Sequence, residues 1–227
     1  MRAFVLAGGH ATRLHPYSEV IPKPLIPVAG KPFIRWVVDP LVSESFYPVT
    51  LLVAQGDEAL FKHEFRDRSE VEVCPSGRLG TAGALYRFKN QVSDGFLLAY
   101  GDIAIPFFSY KRFCEDSIKV LPEGGAVLLA TRQSRVPWGI ISESEGQVKF
   151  EEKPLLNLSQ WTGVAVVRPG VLDMVQPGLD WGHDLFPKIP LKTFETELEV
   201  LHITGITDVE PTSQKIRELT DRPGYVR

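Results

Sequence analysis

The chain has 227 residues, of which 44% are hydrophobic and 23% are charged, and this is the composition of an ordinary globular protein with a sizeable core. Its formal net charge of −3 gives no global positive field for nucleic acid, and no apolar run approaches the length of a membrane span. The two cysteines lack metal-ligand spacing, and the polar stretch that begins at residue 8 argues against a signal peptide, so we expect a cytoplasmic protein with reduced thiols.

The first predicted strand covers the apolar residues 3–7 and ends at a pair of glycines, Gly8 and Gly9. A polar loop that contains Arg13 follows, and then three prolines stand between residues 22 and 27, with Lys23 between the first two. Glycine lets backbone N–H groups approach a phosphate closely, and an arginine adds a rigid fork of donors. The prolines stiffen the segment that holds the lysine. The first thirty residues therefore predict a phosphate-binding loop.

Helices and strands alternate in the next seventy residues. The predicted elements are a helix over 31–45, a strand over 49–54 buried on both faces, a short helix from Asp57, a strand over 70–74, a glycine-rich stretch over 76–85 that leads into a helix to about Lys89, and a strand over 96–100 that ends at Gly101 and Asp102. Pro40 lies inside the first helix and predicts a kink or an early end. This alternation predicts a parallel α/β sheet with right-handed crossovers. Because ligands of such sheets bind at the carboxyl ends of the strands, we expect the first loop, the 76–83 loop and Asp102 to meet in one cleft.

The second half of the chain contains fewer helices. Short strands are predicted over 125–131, 138–142 and 147–152. They indicate a mixed sheet with an antiparallel element that covers the cleft. A last helix, anchored by Ile216 and Leu219, follows Asp208.

Several of these segments match a known signature. LAGGHATRLHP at 6–16 and PKPLIPVAGKP at 22–32 closely resemble the N-terminal signature of the sugar-phosphate nucleotidylyltransferases, and further matches follow at LGTAGAL (79–85), Gly101-Asp102, VKFEEKP (148–154), WTGVAVV (161–167) and TDVEPT (207–212). The resemblance runs from Arg2 to about Leu219 and implies a single-domain α/β fold, with a Rossmann-like, mostly parallel mixed sheet flanked by helices, of the GT-A-like nucleotidyltransferase type. It implies a nucleotide-binding half over 1–120 and a sugar-phosphate-binding half over 121–227. No hexapeptide repeat is found, so we expect no C-terminal β-helix domain.

The resemblance also implies functional residues and a Mg²⁺ cofactor. The implied catalytic residues are Arg13, Lys23 and Lys153, and the implied metal ligands are Asp102 and Asp208. The implied nucleotide-binding residues are Leu6, Ala7, Gly8, Gly9, Ala11, Thr12, Gly80, Thr81 and Gly83. The implied sugar-phosphate-binding residues are Gly139, Glu152, Lys153, Thr162 and Gly163. In this arrangement Arg13 neutralises the triphosphate, Lys23 contacts the reacting phosphates, and Lys153 holds the sugar 1-phosphate.

The reaction that the resemblance implies is an in-line displacement, in which a sugar 1-phosphate oxygen attacks the α-phosphorus of a nucleoside triphosphate and expels pyrophosphate. Such a reaction depends on positioning and charge neutralisation, and it needs no protein nucleophile. LGTAGAL favours a guanylyltransferase that acts on a mannose- or heptose-type 1-phosphate. The alternative is a uridylyl- or thymidylyltransferase that acts on glucose 1-phosphate.

One departure from the signature keeps other functions open. Ala11 stands where the family has a second loop glycine, and its β-carbon can crowd the triphosphate. A non-catalytic homologue that senses a nucleotide sugar is therefore an alternative, as is a cytidylyltransferase that acts on a lipid or polyol phosphate. Single residues have plainer interpretations too, with Asp102 as a turn or cap residue, Thr81 as a helix cap and Lys153 on a self-neutralising surface strand. The oligomeric state stays open, and a homo-oligomer is compatible with the sequence.

Overall fold

A computed structural model describes residues 1–9, 20–132, 139–144, 146–154 and 158–221. The strands are β1 (Ala3–Ala7), β2 (Pro27–Val28), β3 (Lys31–Pro32), β4 (Val49–Val53), β5 (Val71–Pro75), β6 (Phe96–Tyr100), β7 (Ile103–Ala104), β8 (Ala126–Thr131), β9 (Ile140–Ser144), β10 (Gln147–Glu151), β11 (Gln160–Val167), β12 (Leu191–Thr196) and β13 (Leu201–His202). The α-helices are α1 (Arg35–Ser43), α2 (Glu58–Glu64), α3 (Gly80–Gly83), α4 (Tyr110–Val120) and α5 (Val209–Thr220). Short 3₁₀ turns lie at Lys23–Leu25, Tyr86–Gln91, Pro169–Met174, Phe186–Lys188 and Ile206–Asp208, and a π-helical turn lies at Trp181–Leu185. None of the helices in these ranges combines the length and the apolar character of a membrane span.

Seven strands form one continuous sheet in the order β12-β8-β11-β6-β1-β4-β5. Neighbouring strands are parallel except at β11, which runs antiparallel to both β8 and β6. The central strand β1 aligns Val5 with Leu51 of β4 and with Ala99 of β6. The predicted α/β fold with a mostly parallel, mixed sheet is therefore confirmed, and strands from both halves of the chain share the sheet.

Successive residues of a strand point to opposite sides of the sheet. Since the central strands are predominantly apolar, both faces of the sheet are apolar, and helices and turns cover both. Val5 and Leu51 belong to one core, which includes the buried residues of α1, α4 and α5. Phe4 and Leu52 belong to a second core, which is closed by Trp181. Every residue of β4 is buried, as predicted for a strand covered on both faces.

The first helix differs from its prediction at both ends. It begins at Arg35, because the preceding residues 31–32 pair with β2 as strand β3. It continues past Pro40 to Ser43, so the predicted early end at the proline is wrong. Three buried side chains on α1, including Leu41 after the proline, offset the missing proline N–H.

The helix predicted from the glycine-rich stretch to Lys89 is also wrong. Only the four residues of α3 are α-helical, and a 3₁₀ turn over Tyr86–Gln91 follows. The N–H groups of Ala82 and Gly83 donate to the carbonyl of Leu179, at 2.9 and 3.0 Å. A distant segment therefore satisfies the free N–H groups at the start of this helix, which local propensity does not reveal.

The second half contributes a separate antiparallel hairpin, β9 with β10, in which Ile141 pairs with Phe150. Both side chains are exposed, as is every residue of the two strands. Two shorter pairs lie next to the main sheet, β2 with β3 and β7 with β13. These pairs matter for the site, because β2 follows the segment of Lys23 and β7 follows Asp102.

Candidate functional site

A cavity of about 640 Å³ lies at the carboxyl ends of β1, β4, β5 and β6. Its lining residues are Leu6, Ala7, Gly8, Gly9, Lys23, Pro24, Leu52, Ser76, Gly77, Arg78, Gly80, Thr81, Ala84, Tyr100, Asp102 and Asp180. The structure thus brings the loop after β1, the 76–81 loop and Asp102 into one cleft, as the strand pattern predicted. Of the expected nucleotide-binding residues within the described ranges, all except Gly83 line it.

The two glycines after β1 have different surroundings. A β-carbon at Gly8 would lie 2.4 Å from Oγ of Ser76 and 3.1 Å from the backbone of Val53 and Ala54. Ser76 is itself fixed, because its hydroxyl donates to the Val53 carbonyl at 2.9 Å. At Gly9, by contrast, a β-carbon would meet no atom of the described residues within 4 Å. Gly8 is therefore required by packing against the loop after β5, whereas no described residue crowds Gly9. Ala11, Thr12 and Arg13, which continue this loop, lie outside the described residues.

Lys23 begins a 3₁₀ turn that is stiffened by prolines. Pro22 precedes it and Pro24 follows it in the 3₁₀ turn, and Pro24 is buried. The N–H of Ile34 donates to the Pro24 carbonyl at 2.8 Å, which ties the turn to the start of α1. Nζ of Lys23 lies 2.5 Å from Oδ2 of Asp102, a residue 79 positions further along the chain. The proline-rich segment therefore holds the ammonium group against the carboxylate that follows β6.

Asp102 is placed by the strand before it and by a contact from the last quarter of the chain. The N–H of Gly101 donates to the Leu6 carbonyl at 2.8 Å, and the N–H of Ile203 donates to the Asp102 carbonyl at 3.2 Å. The side chain of Asp102 is 28% exposed and that of Lys23 is 16% exposed, so this ion pair is only partly screened by solvent. The backbone of Asp102 fits the plainer turn interpretation, while its carboxylate faces the cavity.

Asp208 belongs to the 203–208 segment, whose first residue contacts the Asp102 backbone, and it does not line the cavity. Its Oδ2 accepts hydrogen bonds from the N–H and hydroxyl of Thr204, at 2.7 and 2.6 Å, and from the N–H of Gly205, at 2.9 Å. These donors directly follow Ile203, whose N–H binds the Asp102 backbone. Partial burial raises the pKa of Asp208, but the hydrogen bonds from Thr204 and Gly205 outweigh it and hold this pKa below the usual 3.8.

Thr81 binds Asp180, a cavity residue that the sequence analysis missed. The N–H and the hydroxyl of Thr81 donate to Oδ1 of Asp180 at 2.8 and 2.7 Å, and the N–H of Trp181 donates to the Thr81 hydroxyl at 3.0 Å. Thr81 is therefore not a helix cap, which is Leu79 here, but a link between α3 and the segment before the π-helical turn. No local signal marks Asp180, because its partner lies 99 positions earlier.

Two glycines of α3 are required by the same segment. Gly80 has φ of +74°, and a β-carbon there would lie 2.4 Å from the Leu179 carbonyl oxygen. A β-carbon at Gly83 would lie 2.9 Å from the Gln176 carbonyl oxygen. Protein backbone thus fills the space beside both glycines, and of the two only Gly80 lines the cavity, so the expectation that they leave room for a nucleobase stays a prediction.

Tyr100 is a second cavity residue that the sequence analysis missed. It ends β6, and its ring packs edge-on against Trp161 with the ring centroids 5.3 Å apart. Burial raises the pKa of its hydroxyl above the usual 10; a hydrogen bond with Thr81 lowers this pKa, and the charges of Asp180 and Asp102 raise it further. The Tyr100 hydroxyl is therefore protonated at neutral pH.

The expected sugar-phosphate residues fall into two groups. Thr162 is 2% exposed and its hydroxyl donates to the Leu129 carbonyl at 2.9 Å, so this side chain holds β11 against β8. Gly163 lies at an irregularity of β11 with φ of +77°, and a β-carbon there would lie 3.2 Å from the β-carbon of Tyr100. The other three expected residues, Gly139, Glu152 and Lys153, lie at the base of the β9–β10 hairpin. No described residue of this hairpin lines the cavity.

Comparison with known proteins gives the class to which this fold belongs. The profile of the Nucleotidyl transferase family matches residues 2–180, so the chain belongs to this family. The chain is 30% identical over 191 residues to mannose-1-phosphate guanylyltransferase 1 of Arabidopsis thaliana, and the match covers 78% of this chain and 52% of that protein. It is 29% identical over 220 residues to a UTP–glucose-1-phosphate uridylyltransferase of a Synechocystis strain, and the match covers 83% of this chain and 55% of that protein.

A third relative is the bifunctional protein GlmU of Methanococcus maripaludis, 32% identical over 143 residues, which cover 62% of this chain and 32% of that protein. The chain thus spans a third to about half of the length of these curated relatives. Among solved structures, HddC from Yersinia pseudotuberculosis complexed with GMP-PN superposes with a TM-score of 0.72 at 21% identity, over 95% of this chain and 99% of that one. An inositol-1-phosphate CTP transferase from T. maritima superposes with a TM-score of 0.72 at 18% identity, over 100% and 98% of the two chains. These two likenesses show the fold.

Proposed function

We propose that this protein joins a nucleoside triphosphate and a sugar 1-phosphate to give a nucleotide sugar and pyrophosphate. The observation that carries the proposal is the Lys23–Asp102 pair, which faces a cavity at the carboxyl ends of four strands. Membership of the nucleotidyl transferase family supports the reaction class. The names of the curated relatives support a sugar 1-phosphate as the acceptor.

The reaction forms one bond and breaks one. An oxygen of the sugar 1-phosphate attacks the α-phosphorus, and the bond from this phosphorus to the bridging oxygen of the pyrophosphate breaks, so the electron pair leaves with pyrophosphate. The protein must hold two anionic substrates together, and we assign the neutralisation of the reacting phosphates to Lys23, which lines the cavity. The remaining roles, Arg13 on the triphosphate and Lys153 on the sugar 1-phosphate, are parts of the same proposal.

Asp102 fits the role of a Mg²⁺ ligand, because it presents a partly exposed carboxylate to the cavity. Asp208 is the second candidate ligand, supported by the backbone contact between the 203–208 segment and Asp102. Within the described ranges, no three His, Cys, Asp or Glu side chains are grouped as a metal site. A bound Mg²⁺ would supply charge neutralisation at the phosphate oxygens.

The guanylyltransferase reaction on a mannose- or heptose-type 1-phosphate is the favoured form of this proposal. The Arabidopsis relative supports it, whereas the Synechocystis relative supports the uridylyl alternative with glucose 1-phosphate. Sugar-phosphate binding by the 121–227 half and a cytoplasmic location are further predictions from the sequence, and a homo-oligomer is compatible with it.

The test is pyrophosphate release from each common nucleoside triphosphate combined with several sugar 1-phosphates, with Mg²⁺ and with EDTA. We expect one active pair of substrates, no release with EDTA, and a loss of at least about 100-fold in Asp102→Asn. Asp116→Asn is the matched control, because Asp116 lies on the surface of α4 and, among the described residues, forms ion pairs with Arg112 and Lys119 of that helix alone. If no pair of substrates releases pyrophosphate and calorimetry shows tight binding of a finished nucleotide sugar, the transferase proposal is wrong and the protein is a nucleotide-sugar sensor.

A further inference from the structure

The charges that line the cavity are unevenly matched. Lys23 is paired with Asp102, and Asp180 accepts two hydrogen bonds from Thr81. Arg78 lines the same cavity, is exposed, and makes no hydrogen bond or ion pair with any residue that the structure describes. Its five N–H donors are therefore available to a ligand, and a guanidinium cannot accept a hydrogen bond.

Arg78 lies in the loop after β5, whereas Asp102 of the Lys23–Asp102 pair follows β6. The order of the strands places β6, which carries Asp102, three positions from β5, which leads into Arg78. With about 4.8 Å between neighbouring strands, the carboxyl ends of β5 and β6 are roughly 14 Å apart along the edge of the sheet. If the reacting phosphates lie at Lys23 and Asp102, Arg78 faces the part of the nucleotide that is far from the reaction.

The wall near Arg78 suits a flat ring rather than a phosphate. Leu52 of β4 and Ala84 at the end of α3 contribute apolar surface to the cavity there. Ser76, the polar neighbour on the same loop, has its hydroxyl occupied by the Val53 carbonyl. Arg78 is thus the polar side chain at this end that is free to read the edge of a nucleobase.

We infer that Arg78 selects the nucleobase and favours guanine. The inference rests on the proposed function, because it takes the cavity as the nucleotide site. A donor-only side chain pairs with a base that presents two neighbouring acceptors, and guanine presents O6 and N7 to a bidentate arginine. Adenine presents an amino group in place of O6, so it loses one bond and places a donor against a donor.

The experiment measures equilibrium binding of GTP, ATP, UTP and 7-deaza-GTP by calorimetry, without sugar phosphate, to the wild type and to Arg78→Gln and Arg78→Lys. We expect the wild type to prefer GTP over ATP, and Arg78→Gln to reduce this preference by roughly 5- to 150-fold. Arg78→Lys keeps the charge but lacks the planar fork, so we expect it to lose most of the preference as well. Replacing N7 in 7-deaza-GTP should weaken binding to the wild type and leave the affinity of Arg78→Gln nearly unchanged.

The controls separate base recognition from phosphate binding and from the proposed function itself. Arg112→Gln, an 84% exposed arginine on α4, should leave every affinity unchanged. An equal loss for all triphosphates in Arg78→Gln, rescued in Arg78→Lys, would assign Arg78 to phosphate and overturn the inference. A wild type that prefers UTP, or a GTP preference that survives in Arg78→Gln, would overturn it as well. A wild type that binds no triphosphate would overturn the proposed function too, so the two failures are distinguishable.

Discussion

The contact between the loop after β1 and the loop after β5 predicts opposite effects for two adjacent substitutions, Gly8→Ala and Gly9→Ala. The new β-carbon at residue 8 would lie 2.4 Å from Oγ of Ser76 and 3.1 Å from two backbone atoms, and the backbone has no room to move because β1 and β4 pair along their whole length. Overpacking of this kind costs about 1–3 kcal/mol, and the gain from a less flexible unfolded chain offsets only ~0.4–1 kcal/mol. At residue 9 the β-carbon meets no described residue within 4 Å, so we expect only that gain to apply.

We therefore expect the free energies of unfolding of the two variants to differ by about 2 kcal/mol, with Gly8→Ala the less stable. Urea denaturation followed by fluorescence measures this difference, and the m-value checks that both variants unfold in the same way. The double variant Gly8→Ala with Ser76→Ala removes the 2.4 Å contact, so a double-mutant cycle should show a favourable coupling of roughly 0.5–1 kcal/mol or more. Equal stability of the two single variants, or no coupling in the cycle, would refute the close approach of these loops.

Two further predictions concern the far side of the site. Gly163→Ala should lower the free energy of unfolding by about 2 kcal/mol, because φ is +77° and the β-carbon would lie 2.7 Å from Ile103 and 3.2 Å from Tyr100. Urea denaturation measures this difference. An unchanged free energy of unfolding would contradict the irregularity in β11. Asp208→Ala should be less stable than the wild type at neutral pH, and the gap should narrow as the pH falls below 3.8. The sign follows because a carboxylate whose pKa is lowered on folding stabilises the protein above its unfolded pKa and loses this effect when protonated. A gap that is constant from pH 7 to pH 3 would remove the ionised carboxylate from the explanation.

The Lys23–Asp102 pair links the binding of an anion to the binding of a cation in the proposed function. Without a ligand, the ammonium group and the carboxylate neutralise each other in a partly buried cleft. A partly buried charge without a partner would be unfavourable, because it has lost part of its hydration. In the proposed function, phosphate oxygens would compete for the ammonium group and a cation for the carboxylate. We therefore expect the two ligands to assist each other, since each would relieve the charge that the other leaves unpaired.

Much of the fold was predictable from local patterns. The apolar runs at β1, β4 and β6 and the alternation of strands with helices predict a parallel sheet, and the edge of that sheet predicts where the loop after β1 and Asp102 meet. These features are local because a strand or helix shows its periodicity within ten or so residues. The signature at 6–32 also identifies the family by itself, because its residues are contiguous in the chain.

The tertiary structure alone decided which residues touch. The hydrogen bond between Thr81 and Asp180 spans 99 positions of the chain. Thr81, which could be interpreted as a helix cap, therefore connects two segments of the cavity wall. Thr162 matched a sugar-binding signature, yet the antiparallel pairing of β11 with β8 buries its hydroxyl against a carbonyl. The first free N–H groups of the short helix α3 donate to the carbonyl of Leu179, a residue far away in the chain that no local pattern marks as their partner. Sequence fixes the chemistry that each segment can offer, whereas the order of the strands fixes which segments lie side by side, and this order depends on packing between residues far apart in the chain.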